Sequence, residues 1–173
     1  YFGYQLYHTG EDYGQSRQVA DNATKRSTAY GEVVGFVDQN SAHTWMGIPY
    51  AQPPVNELRW RAPLPPQPWQ GTLQALQAGD FCKQFGSQME ARPPSEWGKP
   101  IGSEDCLKLN IFAPAFAADA VPGGDQRLPV MVYVHGGGNM VGYANQFKYS
   151  GTQLANTHNV IVVTFNYRLG PFG

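Results

Sequence analysis

Four consecutive residues, His135-Gly136-Gly137-Gly138, have the types and spacing that suit chemistry. Glycines let a backbone turn so that its N–H groups point at one spot, with no Cβ to bar an approaching group. Donors converging on one spot are what a developing oxyanion needs in acyl transfer. A phosphate loop is the competing use of such glycines. No Gly-Lys-Ser or Gly-Lys-Thr follows, however, and the spacing is not Gly-x-Gly-x-x-Gly. The nucleophile such a loop would serve is not here, because Gly-x-Ser-x-Gly occurs nowhere in the 173 residues. His8, His43 and His158 stand among polar neighbours and are expected to be solvated rather than catalytic.

The elements around the loop follow from pattern. Val130–Val134 leads straight into His135, and Val160–Phe165 is a second continuous apolar run. Such runs belong to parallel strands covered on both faces. The connection between them is long enough for a right-handed crossover and holds a short helix near Gly151–Ala155. Leu107–Phe112 alternates as a half-buried strand does. Upstream, Val33–Val37 and Thr44–Ile48 flank Asp38-Gln39-Asn40-Ser41, the chemistry of a hairpin turn at a sheet edge. Residues 70–103 and 113–127 read as loops. Six prolines between Pro53 and Pro68, with Arg59, Trp60, Arg61 and Trp69 among and after them, read as an extended segment pinned by its aromatics. A Pro-rich ligand for a recognition domain is the lesser alternative. Residues 1–30 lack periodicity and are expected to form a surface arm or a poorly ordered terminus. No convincing helix longer than two turns accompanies the strands. The sequence therefore predicts central strands without the layers that bury them, and an apolar surface prone to aggregation.

A net charge of −1 and a charged fraction of 14%, with Lys and Arg scattered singly, give no footprint for nucleic acid and no polybasic anchor. The run Val160–Phe165 is far too short to span a bilayer. The chain begins with Tyr1 and no leader-like pattern, which reads as a trimmed or processed start. Cys82 and Cys106 have no further Cys or His at metal spacing, so neither a metal site nor a cofactor is expected. Two unrelated buried thiols and one disulfide remain equal readings from arithmetic; a bond would be worth roughly 3 kcal/mol and argue for an oxidising compartment. The sequon Asn22-Ala23-Thr24 is compatible with that compartment.

Five segments occur in order: Gly47-Ile48-Pro49-Tyr50-Ala51-Gln52-Pro53-Pro54, Leu58-Arg59-Trp60-Arg61-Ala62-Pro63, Ser103-Glu104-Asp105-Cys106-Leu107-Lys108-Leu109-Asn110, Val134-His135-Gly136-Gly137-Gly138 and Asn166-Tyr167-Arg168-Leu169-Gly170. Together they closely resemble the N-terminal part of type-B carboxylesterases, the cholinesterase-like branch of the α/β-hydrolases. The resemblance covers about residues 31–173. It implies an α/β fold with a mixed, mostly parallel central sheet and an N-terminal antiparallel hairpin, incomplete in this chain. It further implies a Cys82–Cys106 disulfide and a structural ion pair between Arg59 and Glu104.

The mechanism implied is two-step acyl transfer by a Ser-His-Glu or Ser-His-Asp triad lying beyond residue 173. Gly137 and Gly138 would donate their N–H groups to the oxyanion, with Gly136 and His135 supporting the loop. His135 is then a brace rather than the general base. Where most relatives place an aromatic residue, Asn139 makes a smaller and more polar pocket wall. No residue between the cysteines matches a choline-site Trp; Trp97 is the only candidate and its surroundings differ. The resemblance also implies a small carboxylic ester as substrate, a secreted or periplasmic location, and the C-terminal remainder of the esterase as a second polypeptide. A non-catalytic adhesion domain of the same branch is the alternative, since the deciding serine position is not among these residues.

Overall fold

The computed structural model describes residues 18–88, 92–117 and 119–173. Ten strands and one α-helix occur among them: β1 (Arg26–Thr28), β2 (Gly31–Val34), β3 (Phe36–Val37), β4 (His43–Pro49), β5 (Thr72–Gln74), β6 (Gln84–Phe85), β7 (Pro100–Ile101), β8 (Lys108–Ala113), β9 (Val130–Tyr133), α1 (Thr152–His158) and β10 (Ile161–Phe165). No helix among the described residues is long and apolar enough to cross a membrane.

The main sheet has the order β3-β4-β8-β10-β9. It is mixed, as expected, but within this chain the pairing is mostly antiparallel: only β9 and β10 run parallel. A tight turn joins the antiparallel pair β3 and β4, whereas the parallel pair needs a crossover, which here carries α1 between β9 and β10. The hairpin turn is held by Asp38, whose carboxylate accepts from Asn40 N at 3.0 Å and Ala42 N at 2.8 Å. Its first strand is shorter than the apolar run suggests. Gly35 divides Val33–Val37 because a Cβ there would run into the Thr44 carbonyl and the Trp45 ring.

The residues before that break, β2, pair instead with β1 and, in parallel, with β5. A register shift between Trp45 and Ile48 in β4 joins this small sheet to the main one. There Met46 N donates to Ala75 O at 2.9 Å, while Ala75 N donates to Val34 O at 2.8 Å. One face of the main sheet thereby packs Trp45, Ile48, Leu109, Ile111 and Ile161 against Val33, Ala75 and Trp69. On the other face Phe112, Val160 and Val162 meet Ala155 of α1. Gly151 precedes α1 at the point of closest approach; a Cβ there would fall 2.6 Å from Val162 and 2.9 Å from Phe112. The helix stops at Asn159, which takes the left-handed conformation at φ 53°.

The expected arm divides into two parts. Residues 1–17, with His8, lie outside the described residues. Residues 18–30 belong to the body of the fold, a correction to the reading as a surface arm. Thr24 is fully buried, its carbonyl accepts from Trp45 Nε1 at 2.8 Å, and β1 pairs with β2. A polar segment can do this because short hydroxyl and carboxylate side chains satisfy its backbone: Thr24 Oγ1 takes the Gly35 N–H and Asp21 caps Ala23. The Pro-rich segment is extended apart from one turn at Asn56–Leu58, and Trp69 pins its end by donating to Glu32 O at 2.7 Å.

Candidate functional site

Strand β9 ends at Tyr133, and the chain enters the glycine loop two residues later. Three successive residues then adopt positive φ: Gly137 at 128°, Gly138 at 62° and Asn139 at 59°. The first two glycines of this set serve different ends. A Cβ on Gly137 would strike the Val141 carbonyl, so that position is set by close approach. Nothing lies within 4 Å of where a Gly138 Cβ would stand, so there the demand is conformational and the surface is left open. The Gly137 carbonyl accepts from both Met140 N (3.1 Å) and Val141 N (3.2 Å), closing a tight turn. The N–H groups of Gly137 and Gly138 have no hydrogen-bond partner among the described residues. Asn139 is exposed, and its carbonyl accepts from Gly170 N at 2.6 Å, which ties the loop to the turn after β10. Asn suits that position because its short polar side chain tolerates the left-handed region.

His135 is buried beneath the loop. Its Nδ1 lies 2.9 Å from the Gly136 carbonyl, which can only accept, so Nδ1 carries the proton and Nε2 is the bare acceptor. Burial lowers the imidazole pKa, and the Gly136 bond opposes this only in part. Burial thus favours the neutral ring. The ring stacks on Tyr167 with centroids 4.3 Å apart, and the Tyr167 hydroxyl donates to the His135 carbonyl at 2.5 Å. Neighbouring Asn166 accepts from Ala144 N at 2.8 Å and donates to Asp80 O at 3.0 Å. Tyr50 in turn donates to the Asn166 carbonyl at 2.6 Å, and burial pushes its phenol up to about 12. Tyr167, Asn166 and Tyr50 were legible only as motif letters. Which loop each would hold is a matter of long-range packing that no local pattern encodes.

A second cluster holds the remaining residues singled out in the sequence. Cys82 and Cys106 are bonded and buried with Ala51, Leu107 and Leu169. Beside them Arg59 grips Glu104 through two parallel contacts, Nε to Oε2 at 2.5 Å and Nη2 to Oε1 at 2.8 Å. The hydrogen bond to Glu104 raises the Arg59 pKa. Trp97 is exposed and donates to the Arg92 carbonyl, and His158 is exposed at the end of α1. His43 corrects an expectation: it is 3% exposed rather than solvated, because β4 turns it inward to meet the edge of Trp45.

The model of the carboxylesterase family matches residues 22–173. Over 147 residues the chain is 44% identical to the para-nitrobenzyl esterase of Bacillus subtilis (strain 168), covering 85% of this chain and 28% of that protein. It is 42% identical over 151 residues to carboxylesterase 3B of Mus musculus, covering 83% and 24%. A solved structure titled PNB esterase superposes with a TM-score of 0.71 at 42% identity, over 87% of this chain and 28% of that one. The chain spans about a quarter of the length of the curated relatives it matches.

Proposed function

The chain belongs to the carboxylesterase family, with the fold of the N-terminal part of an α/β-hydrolase, and on that premise we propose that it serves a serine carboxylic ester hydrolase by holding the oxyanion. The observation that carries this is the pair of unpartnered N–H groups at Gly137 and Gly138, fixed by positive φ at the end of a strand. In the reaction, a serine oxygen adds to the ester carbonyl carbon and the carbonyl oxygen becomes an anion. The two amides donate to it, each worth roughly 3 kcal/mol of transition-state stabilisation. Collapse of that intermediate expels the alcohol, which takes the serine's proton by way of the histidine; water then repeats the sequence on the acyl-enzyme. Serine, acid and histidine come from polypeptide outside these 173 residues, and that remainder seats against β9. The ester group needs no metal or cofactor for this route. The buried Cys82–Cys106 bond supports a secreted or periplasmic home.

The test is Gly137→Ala in the complete protein, read on p-nitrophenyl acetate. The added methyl pushes on the Val141 carbonyl and displaces the amide. Turnover is expected to fall about 100-fold or more while KM stays within about threefold. Turnover within about threefold of the parent would overturn the assignment.

A further inference from the structure

The glycine loop must be held from behind, since its outer side is open. Gly142 does this from close range: a Cβ there would sit 2.5 Å from His135 Nδ1 and 2.6 Å from the Gly136 carbonyl. What holds Gly142 is a single buried side chain 58 residues upstream. Gln84 accepts from Gly142 N at 2.8 Å and donates to Gly142 O at 2.9 Å, so its carboxamide acts as one rung of a β-ladder. The same Nε2 donates at 3.0 Å to the carbonyl of Cys82, itself one of the two disulfide cysteines. Only Gln has this reach with both a donor and an acceptor; Glu lacks the donor and Asn is a methylene short.

We infer that Gln84 is a positioning residue for the oxyanion amides, transmitting the fixed position of the disulfide to the glycine loop through Gly142. The inference rests on the ester-hydrolase reading for its consequence in rate, but not for the clamp itself. An amide displaced by a fraction of an ångström still lets substrate bind, yet it no longer meets the charge formed in the transition state. The effect therefore belongs in kcat and in the binding of oxyanion mimics, not in KM.

The experiment uses the complete protein with Gln84→Met, which keeps length and loses all three hydrogen bonds, and Gln84→Glu, which turns an acceptor toward two carbonyls. Three readouts are taken: hydrogen exchange over residues 135–142, kinetics on p-nitrophenyl acetate, and inhibition by an aryl trifluoromethyl ketone. Both variants are expected to exchange at least about tenfold faster in that segment. Turnover and ketone affinity should fall together by about 10- to 100-fold with KM within about threefold. Unchanged exchange would overturn the clamp. Faster exchange with turnover and ketone affinity retained would overturn its role in positioning, and loss of fold in both variants would assign Gln84 to folding alone. An inactive parent would instead sink the esterase reading, and exchange would still decide the clamp.

Discussion

Strands β9 and β10 are neighbours in parallel register, Val130 beside Ile161 and Val132 beside Val163, and their sequences are equally apolar. Their surroundings are opposite. In β10, Val162 and Thr164 are buried, Val162 against Phe112 of β8 and Ala155 of α1, and the other three residues are half-covered. In β9 and the residue after it, every side chain from Val130 to Val134 is 41–61% exposed. The difference is that β10 has a strand on each side and a helix above it, while β9 stands at the sheet edge among the described residues. A continuous apolar run reports the burial a strand is built for. Burial itself is conferred by the neighbours.

The contrast can be broken by substitution and chemical denaturation. Phe112→Ala removes a ring that is 1% exposed and fills the space between α1 and Val162, and should cost about 3–5 kcal/mol. A loss under about 1 kcal/mol would mean that the β8–β10 interior is no better packed than the edge. Replacing Cys82 and Cys106 together by Ala should cost roughly 3 kcal/mol, because the covalent tie anchors the glycine-loop side of the molecule.

A smaller effect is expected from acid. His43 and His135 both have pKa values lowered chiefly by burial, so the unfolded chain binds protons that the folded chain refuses. Their contribution is intact above the ordinary histidine pKa of about 6.5 and is lost as pH falls from there through the lowered values. Thermal midpoints should drop over that interval, and His43→Phe should flatten the profile; an unaltered profile would count against the buried assignment. Least of all, Val132→Ala in the 173-residue chain should change stability by no more than about 0.5 kcal/mol. In the complete protein the same substitution should cost as much as Val162→Ala if the remainder seats on β9. A persistent gap between the two would refute that seating.

Strands β8, β9 and β10 were legible to within a residue because alternation and continuous apolar runs are local signals. The break at Gly35 was not, since the obstacle is the Thr44 carbonyl, which arrives only once the hairpin has closed. Nor were β5 and β6, whose few residues carry no period and pair with partners set by the fold. At the site, the glycines showed themselves by type. Of the side chains that hold the surrounding chain, Tyr167 and Asn166 were visible only as motif letters and Gln84 not at all, because each acts across a long stretch of chain.

Asn139 has a consequence for anyone who would reshape the proposed acyl pocket. Its backbone is left-handed and its carbonyl is already committed to Gly170. A saturation library at this codon is therefore filtered twice: first by which side chains the twisted main chain admits, and only then by which acyl groups they welcome. Asn, Asp and Gly pass the first filter freely, whereas β-branched residues are turned away before any substrate is offered.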